Sequence, residues 1–128
     1  MRHSKSPLVA LMSYKAMETG VPVAAVREAE MQGLSRDDIR MIIPDRTLER
    51  RIAEGAVLKI DEADGIARLL RVLAQARNVF EDVARADEWL RSPNPALDGH
   101  IPIRMARTDL GGREVEAVLG RIAHGVFG

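Results

Sequence analysis

The sequence predicts an all-α fold, on three observations. Apolar residues recur at three- and four-residue spacing between proline and glycine punctuation. Aromatic residues number only four (Tyr14, Phe80, Trp89, Phe127), and β-branched alternation is almost absent. At 128 residues, 46% hydrophobic and 30% charged, the chain has the composition of a folded protein, with length for one domain or two small ones.

Each helix can be placed in order. A first runs roughly from Pro7 to Glu18, with Leu8, Leu11, Met12 and Lys15 on one side, and stops at Gly20. A second runs from about Val23 to Gln32 and stops at Gly33. Ser35 caps a third, because its hydroxyl accepts an unpaired first-turn N–H, and Asp37 and Asp38 suit the positive helix end. Pro44 breaks that helix after Ile42 and Ile43, and a short helix follows from about Arg46 to Glu54, ended by Gly55. Asp61 is the expected N-cap of a long helix to about Phe80, with Ile66, Leu69, Leu70, Leu73 and Ala76 along one face. Glu81 to Arg91 forms the next helix. Ser92 to His100 is too rich in Pro and Gly to be regular, and Thr108 caps a last helix with Val115, Val118, Leu119, Ile122 and Val126 inward.

Composition excludes several function classes. The 19 Lys+Arg balance the 19 Asp+Glu, so bulk-charge coating of nucleic acid is excluded, though a local basic patch is not. Residues 1–60 carry ten basic and eight acidic side chains, and residues 61–128 carry nine and eleven. No run approaches the ~20 apolar residues of a membrane span. The absence of cysteine removes disulfides and thiolate chemistry and suits a cytoplasmic location, as does the lack of a signal-peptide pattern behind Met1-Arg2-His3-Ser4-Lys5. No phosphate loop, metal-spaced histidine pair or nucleophile set occurs; His3, His100 and His124 are scattered, and Asp87-Glu88 point apart on their helix. The expectation is a non-enzyme with no catalytic residue, no metal and no cofactor.

Short helices with tight turns in the first half suggest a DNA-binding helix-turn-helix. Two registers fit. In one, Ser35–Ile42 is the reading helix, but Arg36 and Arg40 are diluted by Asp37 and Asp38. In the other, which we favour, the reader begins at Pro44-Asp45-Arg46-Thr47-Leu48-Glu49-Arg50-Arg51. Leu48 and Ile52 then face the core and Arg46, Thr47, Arg50 and Arg51 face outward toward phosphates or a base edge. The bland alternative is a solvated face on which Arg50 and Arg51 pair with Glu49 and Glu54.

The second half holds the informative motif. Trp89-Leu90 is followed by Pro93-Asn94-Pro95-Ala96-Leu97-Asp98-Gly99, then Pro102, Thr108, Gly112-x-x-Val115, Leu119-x-x-Ile122 and Gly125-x-Phe127. This stretch closely resembles the C-terminal toxin-binding domain of the Xre/MbcA/ParS antitoxin family. Upstream, Gly33-Leu34-Ser35, Arg46-Thr47-Leu48-x-x-Arg51 and Leu58 also fit, so the resemblance covers roughly residues 20–128. Two departures stand out: Gly65, where the family usually carries a polar or basic residue, and the segment between Pro102 and Thr108, where it favours acidic residues and this chain has Arg104 and Arg107.

The resemblance implies an Xre-like helix-turn-helix at residues 1–58 packed with a small helical toxin-binding domain at 59–128. It further implies a RES-fold toxin as partner, resembling ADP-ribosyltransferases and using NAD, whose active site the antitoxin blocks. Repression of its own operon through operator DNA, a homodimer and larger assemblies with toxin are implied as well. Toxin contacts are expected at Trp89, Asn94, Arg113, Arg121, His124, Val126 and Phe127. Trp89 is otherwise a core anchor, which is the favoured reading, and Arg113, Arg121 and His124 are otherwise plain solvent-facing residues. The apolar end Val126-Phe127 either packs back on its own dimer or plugs the toxin pocket. Gly99 and Gly125 are expected at positive φ. A second reading is a stand-alone transcription regulator whose C-terminal half dimerises or senses a ligand.

Overall fold

The structure is a computed structural model and describes residues 13–125. It is helical throughout apart from one two-residue strand pair, so the all-α class holds. The chain gathers into two compact units, divided between Ala67 and Arg68.

In the first unit, α1 (Tyr14–Thr19) ends at Gly20; the part of this helix expected from Pro7 to Met12 lies outside the described residues. Strand β1 (Val21–Pro22) follows, pairing antiparallel with β2 (Val57–Leu58), Val21 opposite Leu58. This ladder was invisible to periodicity, since two residues carry no alternation to read. Helices α2 (Ala24–Gln32), α3 (Arg36–Arg40) and α4 (Asp45–Glu54) lie between the strands. The core gathers Val21, Ala25, Val26, Ala29, Leu34, Ile39, Ile43, Leu48, Leu58 and Ile66.

Ser35 caps α3 as expected, and the cap is reciprocal. Its Oγ accepts the Asp38 N–H at 3.0 Å, and the Asp38 carboxylate accepts the Ser35 N–H at 2.8 Å. We expect Ser35→Ala to lower stability by about 1 kcal/mol in urea unfolding, the usual worth of an N-cap. An unchanged midpoint would show that the cap is redundant here. Helix α3 stops at Arg40, short of the expected Ile42. Residues Ile42 and Ile43 instead form a turn on the Ile39 carbonyl, because a residue before proline is pushed out of the helical region.

Helix α5 (Ile60–Phe80) is the long helix, and the unit boundary falls inside it. It starts ahead of Asp61, which is therefore not its N-cap. The Glu62 carboxylate, in the first turn, reaches back to accept the N–H of Lys59, the residue just ahead of the helix, at 2.8 Å. Gly65 has a packing reason: a Cβ there would lie 2.8 Å from Ile42 Cγ2.

In the second unit, α6 (Val83–Leu90) begins later than expected. Asp82 accepts the N–H groups of Ala84 and Arg85, and Glu81 is left at φ +54°. A 3₁₀ turn (Pro95–Leu97) and α7 (Pro102–Met105) precede α8 (Asp109–Ala123), whose N-cap is Thr108, as expected. The sequence reading missed α7, although proline at its first position was the available signal. Leu69, Val72, Leu73, Ala76, Leu90, Leu97, Ile103, Val115, Val118 and Leu119 make this core. Among the described residues no helix is long and apolar enough to cross a membrane.

Candidate functional site

The first unit presents α4. Leu48 packs in the core, one turn after Pro44, and Arg46 and Arg50 stand one turn apart on the exposed side. Thr47 is half-buried at the edge of that face. Two expectations need correction. Arg51 is only 7% exposed, with its guanidinium on the Glu62 carboxylate, whereas Ile52 is 55% exposed. Arg51 is therefore not an outward member of the basic cluster, nor does it pair with Glu49 or Glu54 in the solvated manner considered above. The physical reason is that Glu62 offers a buried anion at the start of α5, which offsets the desolvation of a buried cation. That partner lies eleven residues away in the chain, outside any helical periodicity.

The other register rests on Arg36 and Arg40 of α3. Arg40 bonds both Asp37 and Asp45, and these carboxylates hold its pKa above the usual guanidinium value, chiefly through the Asp45 hydrogen bond. Its charge is thus locally neutralised, whereas Arg46 and Arg50 join no such bridge among the described residues.

The second unit presents a rigid loop and a helix face. Asn94 organises the loop: its side-chain oxygen accepts the Ala96 N–H at 2.8 Å, and its carbonyl accepts the Gly99 N–H at 2.8 Å. Its own N–H donates to the His100 carbonyl at 3.0 Å, closing the turn. Gly99 at φ +83° and Gly125 at +70° adopt the left-handed region, as the sequence predicts. Trp89 is neither buried core nor free surface. It is half-buried against Phe80, ring centroids 5.7 Å apart and tilted by 44°, while neighbouring Leu90 takes the core position. Trp89, Phe80, Pro93 and Asn94, with Arg85 and Glu88, line an open pocket of about 330 Å³.

On α8 the buried Val115, Val118 and Leu119 define an inner side. At 100° per residue, Arg113, Ala117, Arg121 and His124 fall together on the opposite side, and all four are exposed. Arg113 bridges Asp109 one turn before it at 2.9 Å, and His124 Nδ1 lies 2.7 Å from the Gly120 carbonyl. Leu110, 69% exposed, adds an apolar side chain near the start of the helix. Val126 and Phe127 lie outside the described residues.

The sequence reading missed Arg68. Only 7% exposed, it donates from Nε to the Ala106 carbonyl at 2.7 Å and from Nη2 to that of Arg107 at 2.9 Å. It thereby braces the turn between α7 and α8 from α5. Arg71 on Glu116 and Gln75 on the Glu116 carbonyl add two more ties between α5 and α8.

Comparison with known proteins places this arrangement among described relatives. Residues 75–125 match the antitoxin Xre/MbcA/ParS C-terminal toxin-binding domain. An antitoxin Xre of Pseudomonas putida is 38% identical over 84 residues, 66% of this chain and 53% of that one. Another, from Yersinia enterocolitica, is 35% identical over 66% of this chain and 58% of its own. An antitoxin Xre of Photorhabdus laumondii is 31% identical over 114 residues, 86% of this chain and 77% of that protein. Against the first two, the chain spans little more than half the relative's length.

Proposed function

The chain belongs to the Xre antitoxin family, and from that premise we propose that it neutralises a RES-fold, NAD-using toxin and represses its own operon. Residues 59–128 hold the toxin by blocking its active site, and residues 1–58 bind operator DNA, in a cytoplasmic homodimer that assembles further with toxin. The observation that carries the first part is the match over residues 75–125 to a toxin-binding domain. Those residues include the Trp89–Asn94 pocket and the Arg113–Arg121–His124 face. Preformed loops and helix faces bind with little ordering entropy, which suits a tight inhibitor. Two arginines on one face fit a partner whose active site handles the phosphates of NAD. The pocket beside Trp89 accepts an apolar side chain, and the Val126-Phe127 end supplies a further apolar contact.

The test is co-expression with the adjacent reading frame. Wild-type chain should co-purify with its product and prevent loss of cellular NAD. Arg113→Ala with Arg121→Ala should weaken capture by on the order of tenfold or more, as loss of interface arginines does. Truncation after Gly125 should impair inhibition. Failure of the neighbouring product to bind the wild-type chain would overturn the toxin reading.

For DNA, Arg46 and Arg50 on the outward side of α4 support the reading. Arg46→Ala with Arg50→Ala should weaken binding to the region upstream of the coding sequence. It should also reduce the slope of log affinity against log salt by about two, one for each phosphate no longer neutralised. Toxin capture should be unaffected.

A further inference from the structure

We propose that the buried Arg51–Glu62 pair is the positioning device of α4: it fixes the rotation of that helix about its own axis, and so decides which side chains stand beside Arg46 and Arg50. The inference rests on the reading of α4 as the DNA-facing helix.

Two rotations compete. At 100° per residue, Arg51 and Ile52 flank Leu48 on opposite sides of the helix. Apolar burial alone favours turning Ile52 inward, yet Ile52 is 55% exposed and Arg51 is 7% exposed. A guanidinium leaves water only when paired, and Glu62, itself 9% exposed, meets it. Glu62 is fixed in turn by the Lys59 N–H at 2.8 Å, so the anion is anchored to the backbone at the start of α5. A directional bond between two anchored groups selects one rotation, which a non-directional apolar contact does not.

The selected rotation has a readable consequence. Glu49 and Ala53 flank Arg46 and Arg50 on the exposed side, and Thr47 is half-buried. With Ile52 turned inward, Thr47 would come out and Glu49 would move toward the edge of the face. Arg51 thus acts through Glu62 and does not touch DNA; it is a positioning residue.

The test uses the full chain, a duplex of the region upstream of its coding sequence, and a scrambled duplex of equal length. Arg51→Met and Glu62→Ala should each weaken binding to the upstream duplex by about tenfold while leaving the salt slope unchanged, because the same phosphates are still neutralised. The double variant, Arg51→Met with Glu62→Met, should bind as weakly as the single ones even though neither charge is then orphaned, since an apolar contact does not select the rotation. Arg50→Ala, as reference, should lower the slope by about one. A slope lowered by Arg51→Met would overturn the inference, as would near-wild-type binding by the double variant or wild-type affinity in both single variants. Glu62→Gln, which keeps an acceptor for the Lys59 N–H, serves if circular dichroism shows Glu62→Ala unfolded, and must weaken binding likewise.

The chain has no cysteine, so a single introduced thiol reports rotation without DNA. The thiol introduced by Ile52→Cys should alkylate quickly in the wild-type background and more slowly when combined with Glu62→Ala. Equal rates in the two backgrounds would overturn the positioning role. Wild-type protein that does not prefer the upstream duplex would sink the DNA reading alone, and the thiol rates would still decide the rotation.

Discussion

Gly111→Ala is expected to lower the stability of the second unit by about 3 kcal/mol, a fall of roughly 12–24 °C in melting temperature for a unit of this size. Gly111 lies in the first turn of α8, where its N–H donates to Thr108 Oγ1 at 3.0 Å. A Cβ at this position would overlap the carbonyl oxygen of Met105, with the carbonyl carbon 2.8 Å away. That carbonyl already accepts the N–H of Thr108 at 3.2 Å and its hydroxyl at 3.3 Å. Relief therefore requires moving backbone and breaking the turn that sets the entry of α8. Gly120, on the same helix, supplies the contrast. Nothing lies within 4 Å of a Cβ there, so Gly120→Ala should stabilise by about 0.5–1 kcal/mol through helix propensity. Opposite signs from the same substitution isolate the steric cause. If Gly111→Ala melted with the wild type, the close approach of Met105 would not exist in solution.

Arg68→Met should cost about 3 kcal/mol, because it orphans two carbonyls in place of removing a surface charge. Methionine keeps part of the apolar stem but cannot donate to Ala106 O or Arg107 O. Each carbonyl left without its donor costs about 1–3 kcal/mol when it stays dry. Gly112 belongs to the same arrangement, since a Cβ there would stand 2.9 Å from Arg68 Cδ. The contact is with a side chain that can shift, so Gly112→Ala should cost less than Gly111→Ala. Urea unfolding followed by circular dichroism measures both. A loss below about 1 kcal/mol for Arg68→Met would mean that water replaces the guanidinium at those carbonyls.

The caps were the most legible local features. Ser35 and Thr108 are polar residues directly ahead of apolar periodicity, and both accept N–H groups in the first turn as their chemistry dictates. The loop from Pro93 to Gly99 was legible because proline and glycine restrict backbone angles whatever lies around them. Arg113, Arg121 and His124 were legible as one exposed face because helical spacing alone brings them together. The missed or misplaced features share a different origin. Glu62 as the partner of Arg51, the β1–β2 ladder and the bracing role of Arg68 each depend on a group outside the local helical repeat.

Position 51 and position 111 draw the same line most sharply. Patterning, turn residues and capping side chains act within four or five residues, so the sequence by itself determined an all-helical chain, where most helices stop, and a C-terminal motif specific enough to show its family. Which side of α4 faces inward depended on Glu62, and why position 111 admits only glycine depended on Met105. Both turn on close approach between separate elements. Burial and steric overlap are properties of packed neighbours in space, and only the tertiary structure supplies those neighbours.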